Sequence, residues 1–316
     1  MQEKIKLGIS SCLLGNNVRW NAGHKRDRYL TDTLGQFVEY VPVCPEVEAG
    51  FGVPRESMRL VGDPENPRLI TFKSKTDHTD QMTRWAKKRV KELEKEDLCG
   101  FIFKCDSPSS GMIRVKVYNQ KGMPEKKGVG MFARAYMDHF QRIPVEDDGR
   151  LHNPEIRENF IERIFTLKRW RDSIKKKRSM GNLVNFHTCN KLLILSHSQK
   201  HYRLMGKAVA DGKKMPIKEL YSQYEHLLME ALGLKTTVKK NINVLQHLLG
   251  YFKKQLTADE KQELLEVFAL YRQGFAPLIV PLTLINHYVR KYDQPYLKMQ
   301  TYLNPHPVEL KLRTHV

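Results

Sequence analysis

Residues 5–15 read Ile5-Lys6-Leu7-Gly8-Ile9-Ser10-Ser11-Cys12-Leu13-Leu14-Gly15. A short apolar run closed by small polar residues and a glycine predicts a β-strand over Ile5–Ile9, with Cys12 just past its carboxyl end. The arrangement recurs twice: Phe37–Val43 runs directly into Cys44, and Phe101–Phe103 leads through Lys104 to Cys105. Leu69–Phe72 and Arg114–Tyr118 also read as strands, while Asp80–Glu96 and Gly130–Phe140 carry helical patterns. Strands alternating with helices predict an α/β domain with a largely parallel sheet. In such a sheet the carboxyl ends share one edge, where ligands bind. Cys12, Cys44 and Cys105 are therefore expected to converge there. Cys99 precedes its strand and belongs at the opposite edge.

The second half has no convincing strand. Asn153-Pro154-Glu155 is a helix start, with a capping residue, proline at the first helical position and then an acid. That helix is expected to run to about Lys176. A long second helix is predicted over Leu183–Ala210, with Cys189 inside it. Further helices are predicted near Ile217–Leu232, Thr236–Gln255, Ala258–Arg272 and Leu278–Tyr292. Thr257-Ala258-Asp259-Glu260 is a capping box. The stretch from Pro295 to Val316 reads as irregular. The expected organisation is an α/β domain over residues 1–150 and an all-α domain over 151–316.

Charge separates the same two halves. The 316 residues carry 54 Lys and Arg against 35 Asp and Glu, a net charge of +19. Residues 1–150 contain 26 basic and 21 acidic residues, whereas residues 151–316 contain 28 and 14. The second half thus has the balance of a polyanion binder, and nucleic acid is the expected polyanion. Lys191, Lys200, Arg203 and Lys207 are expected on one broad face of the long helix, with His201 and Tyr202 placed to stack on bases. His197 and His201 are four apart, but the Ser-Gln-Lys between them lacks the glutamate of a zinc protease. No run reaches the ~18 uncharged apolar residues of a membrane helix. The first residues also lack a signal-peptide pattern, so a cytoplasmic protein without membrane partners is expected. Five cysteines make no disulfide framework.

Three converging thiolates suit a soft metal and leave one coordination position open. Without a Cys-x-x-Cys spacing, three buried thiols with no shared role remain the other reading. Pro45-Glu46-Val47-Glu48 brings two acids beside Cys44, of which Glu46 is nearer as a general acid or base. Arg55 follows in the same loop. Ser107-Pro108-Ser109-Ser110-Gly111 supplies three hydroxyls beyond Cys105, and N–H groups suited to an oxyanion or a pyrimidine oxygen.

Ser10-Ser11-Cys12-Leu13-Leu14-Gly15, Cys44-Pro45-Glu46 and Ser107-Pro108-Ser109 together resemble the TudS-type thiouracil desulfidase domain, over residues 4–145. The region from Asn153 onward, with Asn185-Phe186-His187-Thr188-Cys189-Asn190-Lys191 and Ser196-His197-Ser198-Gln199-Lys200-His201-Tyr202, looks like the helical domain of the fused RudS desulfidases, which act on 4-thiouridine in tRNA. The resemblance implies a [4Fe-4S] cluster held by three cysteines, with an open iron for the substrate's sulfur. It implies that Cys12 and Cys44 are ligands, and that Glu46 and Ser107 are the catalytic acid and serine. The family commonly has Ser-Pro-Ser-Cys-Gly where this chain has Ser110, so either Cys105, the cysteine left at a predicted strand end, supplies the third thiolate, as expected here, or the site is incomplete. The expected activity is non-redox conversion of 4-thiouridine in tRNA to uridine. The alternatives are a desulfidase of free thiouracil or thionucleosides, a non-catalytic nucleic-acid-binding protein with a structural metal site, and a cluster-based redox sensor.

Overall fold

The computed structural model describes residues 4–315, which divide into two compact units at the boundary between Asn153 and Pro154. In the first unit β1 (Ile5–Ser10), β2 (Val38–Val43), β5 (Phe101–Phe103) and β8 (Val145–Asp147) form a sheet in the order β2-β1-β5-β8, with every pairing parallel. Leu7, Ile9, Phe101, Ile102 and Phe103 have no exposed surface, the pattern of strands covered on both faces. Gly8 is required at the centre. A Cβ there would lie 2.1 Å from the Phe101 ring, which packs directly over the β1 backbone. The chain leaves β1 for β2 on one side and later returns to β5 on the other. The carboxyl ends of β1 and β5 therefore flank the switch point at which open α/β sheets form their clefts.

The rest of the unit departs from a single parallel sheet. β3 (Met58–Asp63) and β4 (Asn66–Thr71) form one antiparallel hairpin, and β6 (Val115–Tyr118) and β7 (Pro124–Gly128) form another. A parallel β3–β6 pairing joins them into a second, mixed sheet in the order β4-β3-β6-β7. The strands expected at Leu69–Phe72 and Arg114–Tyr118 thus exist but belong to this sheet. The helices are α1 (Pro45–Glu48), α2 (Thr79–Leu93) and α3 (Met131–His139). Val90 and Leu93 of α2 and Phe132 and Tyr136 of α3 pack with Phe101 and Phe103 in one core.

The second unit is helical: α4 (Pro154–Lys176), α5 (Met180–His197), α6 (Gln199–Ala210), α7 (Ile217–Gly233), α8 (Val238–Gly250), α9 (Ala258–Gln273), α10 (Ile279–Lys291) and α11 (Pro295–Lys298). The capping box at Thr257 and Glu260 is formed. The continuous helix expected over Leu183–Ala210 is broken at Ser198. This residue is extended, and its side chain accepts the His201 N–H at 3.3 Å, ending α5 and capping α6 at once. Trp170, Phe186, Tyr221 and Tyr224 form the aromatic centre of the unit.

The segment expected to be irregular is firmly held. Arg313 is buried and bonds Glu162 at 2.6 Å and the Tyr302 carbonyl at 2.6 Å, tying the last residues to α4. Among the described residues no helix is long and apolar enough to cross a membrane.

Candidate active site

Three segments bring sulfur to one place. After β1 the chain turns through a short 3-10 helix, Ser11–Leu14, which Gly15 closes at a φ of 95°. The Cys12 carbonyl accepts N–H groups from Gly15 and Lys25, so the turn fixes both the cysteine and the loop beyond it. Cys44 caps α1, with Pro45 in the first turn, and its N–H donates to Glu48 Oε1 at 2.9 Å. Glu48 also pairs with Arg89 at 3.0 Å, so it serves the helix end. Cys105 follows β5, where its N–H donates to Asp148 Oδ1 at 2.7 Å. The ends of β1 and β5 are joined by the Lys104 N–H, donated to Ser10 Oγ at 2.9 Å.

Cys12, Cys44 and Cys105 line one cavity of about 500 Å³, together with Glu46, Arg55, Ser107, Ser109 and Ser110. Cys99 is buried, and its N–H donates to the Lys6 carbonyl at the other end of β5. Burial, followed by the neighbouring Cys44, pushes the Cys12 thiol up to about 11. Burial also raises Cys44 and Cys105, although Lys104 Nζ donates to Cys105 Sγ at 3.0 Å and pulls the other way. Left alone, these groups are thiols at neutral pH. Deprotonating all three calls for concentrated positive charge of the kind a soft metal centre supplies.

The spacing bears on which centre fits. Among the described residues, the trio whose candidate ligand atoms all lie within 4.8 Å of one another is Cys105, Asp147 and Asp148. The three sulfurs are not such a trio among the described residues. A cluster that offers each thiolate a different iron is a group that three such donors could hold. Three soft donors facing one cavity, with no fourth, fit that group.

Glu46 is held from two sides. Arg55 Nε donates to Glu46 Oε2 at 2.8 Å, and a second guanidinium nitrogen makes a very short contact with the same oxygen. Ser109 Oγ donates to Glu46 Oε1 at 2.9 Å. Among the described residues the Ser107 hydroxyl bonds within its own loop. Its Oγ lies 3.0 Å from Ser109 Oγ and accepts the N–H groups of Ser109 and Ser110. Gly130 lets this loop pack closely, since a Cβ there would meet the Ser109 carbonyl carbon at 2.6 Å. Ser109 is therefore the hydroxyl that reaches the carboxylate. The Ser-Pro-Ser alternation was its only signal in the sequence.

The basic residues of the second unit do not share one helix face. Lys191 is on α5, with its ammonium 4.8 Å from the Tyr296 ring centre. Lys200, Arg203 and Lys207 are exposed on one side of α6, and the charge of Lys207 acts on Asp211 one turn further on. His201 Nδ1 bonds Ser198 Oγ at 2.8 Å, and its Nε2 lies 3.6 Å from Glu230. His197 is fully buried between Glu162 and the Leu234 carbonyl, and His187 bonds Tyr224. His197 is a core residue and His187 is half-buried.

Three cysteines and a carboxylate thus share one cleft at the switch point of a parallel sheet, the place where α/β enzymes bind their ligands. Residues 7–148 match the family described as 2-thiouracil desulfurase, and residues 191–307 match a protein family of unknown function, DUF1722. Over 152 residues the chain is 33% identical to the uncharacterized protein YbgA of Escherichia coli K12, covering 48% of this chain and 90% of that protein. It is 29% identical over 108 residues to the uncharacterized protein YbbK of Bacillus subtilis, covering 33% of this chain and 71% of that protein. A solved structure described as the [4Fe-4S]-dependent thiouracil desulfidase TudS is 27% identical, with a TM-score of 0.39, over 47% of this chain and 94% of that one. The chain belongs to the YbgA family, with a 2-thiouracil desulfurase domain preceding its DUF1722 region.

Proposed function

We propose that this chain is an iron–sulfur-dependent, non-redox desulfidase that converts 4-thiouridine in tRNA to uridine. The observation that carries the reading is the convergence of Cys12, Cys44 and Cys105 with Glu46 on one cavity at the carboxyl edge of the parallel sheet. These three cysteines would hold a [4Fe-4S] cluster. Bound there, the cluster supplies a soft Lewis acid that polarises a thiocarbonyl sulfur. The protein's own contribution is positioning and proton transfer. Glu46, clamped by Arg55 and Ser109, takes a proton from the water that adds to C4 and returns one to the departing sulfur. The balance is a thiocarbonyl plus water giving a carbonyl plus hydrogen sulfide, with no electron exchanged. Ser107 orders its loop through the Ser109 and Ser110 N–H groups, and the loop faces the ring.

The excess of 28 basic over 14 acidic residues in 151–316 supports an RNA substrate, as do the exposed Lys200, Arg203 and Lys207 on α6, with Lys191 and His201 as further contacts. Such a surface binds phosphates without reading sequence, while the cavity reads the sulfur. The test is to incubate anaerobically prepared, iron-loaded protein with tRNA containing 4-thiouridine, then digest and quantify both nucleosides by mass spectrometry. Conversion to uridine is expected. No conversion with iron bound overturns the reading.

A second reading, desulfuration of free thiouracil, is favoured by the description of the family matched over residues 7–148. A kcat/KM higher for the free base than for the tRNA would select it.

A further inference from the structure

The first unit holds a second cavity, of about 540 Å³, in a groove between α2 and α3. Ala86 and Val90 of α2 are buried and form its floor, and Met131 and Ala135 of α3 line it from the other side. A groove of this volume with an apolar floor has the size and chemistry of a small-molecule site. It is also tied across. The Arg134 guanidinium donates to the Pro64 carbonyl at 3.0 Å and lies 3.5 Å from Glu65, which joins α3 to the β3–β4 turn. His139 Nε2 bonds Glu94 Oε1 at 2.6 Å and joins the carboxyl ends of the two helices. The α2 wall from Thr79 to Lys91 spans about 18 Å. Such a space takes a molecule of limited length, not a helix running through.

The rim selects an anion. Lys88 and Arg89, outside the lining, pair with Glu92, and Arg89 also pairs with Glu48. Lys87 and Lys91 line the groove, exposed and one turn apart, a like-charged pair that a helix by itself disfavours. Arg134 and His139 of the other wall are engaged with Glu65 and Glu94, and Asp138 is the remaining acid of the lining. An anionic head beside Lys87 and Lys91, with an apolar body over Ala86, Val90 and Ala135, matches this distribution.

The two walls also carry the two halves of the Glu46–Ser109 contact. From α2, Gln81 Nε2 donates to the Ala49 carbonyl at 2.7 Å and Arg89 holds Glu48 at 3.0 Å, which fixes the short helix bearing Glu46. At the start of α3, the Phe132 N–H donates to the Ser109 carbonyl at 2.9 Å, and the Gly130 N–H to the Gly111 carbonyl at 2.7 Å. The spacing of α2 and α3 therefore bears on the spacing of Glu46 and Ser109.

We propose that the α2–α3 groove is a second binding site, for a small amphipathic carboxylate, and that its occupant fastens the Glu46–Ser109 contact through the two helices. A ligand that fits the groove as it stands favours the helix spacing at which that contact is made. The site stands without the desulfidase reading, and only an effect on turnover rests on it.

The test uses decanoate as the anionic probe and decanol as its neutral counterpart, with the full chain, read by calorimetry and hydrogen exchange. Decanoate is expected to bind once per chain and roughly fivefold more tightly than decanol. Lys87→Glu with Lys91→Glu should remove that excess, and Lys87→Gln with Lys91→Gln is the milder pair should the reversal disturb α2. Thr83→Trp, which fills the groove, should abolish binding of both probes, whereas Lys88→Glu, outside the lining, should change neither. Bound decanoate should slow amide exchange over residues 108–112 by at least about threefold. No saturable binding, or an excess over decanol that survives both lysine pairs, overturns the site. Binding without slower exchange over 108–112 overturns the coupling. Binding and slowed exchange without turnover of a thiolated substrate would sink the desulfidase reading and leave the groove standing. Turnover with no decanoate binding would do the reverse.

Discussion

Replacing Arg55 by methionine isolates what holds the site together. The Arg55 and Glu46 side chains are 7% and 14% exposed, so methionine leaves a carboxylate in a mostly dry setting with Ser109 as its remaining donor. Removing one partner of a buried pair costs about 3–5 kcal/mol; residual exposure of Glu46 puts this case near the lower end, about 3 kcal/mol. The Val18 and Gly52 carbonyls also lose their donor, a further cost of roughly 1 kcal/mol. A total near 4 kcal/mol corresponds to a fall in melting temperature of roughly 8–16 °C for a domain of this size. Glu46→Gln in the same chain removes the stranded charge. The double variant should then recover about 2–3 kcal/mol of the loss and keep only the loop component. Urea titration with hydrogen exchange on β1 and β5 peptides reads this unit separately from the helical one. A loss under about 1 kcal/mol in the single variant, or a double variant no more stable than the single one, would refute the clamp.

Ser109→Ala should lower kcat for a thiolated substrate by roughly 10- to 100-fold through loss of a hydrogen bond to a charged group, with iron content unchanged; a change under about threefold would make Ser109 a bystander. Cys105→Ser should lower the iron bound per chain, whereas Cys189→Ser on α5 should not. Because Ser110 lines the same cavity, adding Ser110→Cys to Cys105→Ser should restore iron if a thiolate from either limb of the loop serves. Burial, and then the charge of Lys191, lower His187 from 6.5 to about 4. The folded unit therefore keeps this imidazole neutral while the unfolded chain protonates it, and stability is lost as pH falls from 6.5 towards 4. The loss should reach about 1–2 kcal/mol at pH 5, discounting for partial exposure. His187→Gln should flatten that part of the urea-midpoint profile, and an unchanged profile would show that another group carries it.

The parts of the fold written in side-chain periodicity were legible in the sequence. β1 and β5 are apolar because they are covered on both faces, β2 is a half-covered edge strand, and the cysteines that follow all three share one cavity. β7 was not visible because Pro124–Gly128 is Pro-Glu-Lys-Lys-Gly, an edge strand facing water along almost its whole length. β8 has only three residues, Val-Glu-Asp. β3 reads Met-Arg-Leu-Val-Gly-Asp and ends in turn residues. With these three missing, a second mixed sheet could not be separated from the first. The break at Ser198 depends on one capping side chain within a run that is otherwise helical. The anchoring of the last residues depends on Arg313 finding Glu158 and Glu162 about 150 positions earlier, a pairing that no local pattern carries. Within the site, Glu46 and Ser107 were visible as motif members, but their contact through Ser109 exists only once the loop is folded.

The departure at Ser110 has a physical account in the same loop. Cys105 and Ser110 stand at its two limbs, and both line the cavity. Ser110 is 4% exposed, with its N–H given to Ser107 Oγ, so its position is set by the turn whatever atom its side chain ends in. Cys105 is fixed independently, through its N–H to Asp148 and through β5 behind it. A ligand at residue 105 therefore draws its placement from a strand end, as Cys12 and Cys44 do, and leaves the Ser107–Ser110 turn to position Ser109 against Glu46. Under the proposed function, ligation and acid–base chemistry would then act through separate backbone supports. A serine at residue 110 costs the site little under that arrangement, because the turn needs its N–H and not its side chain.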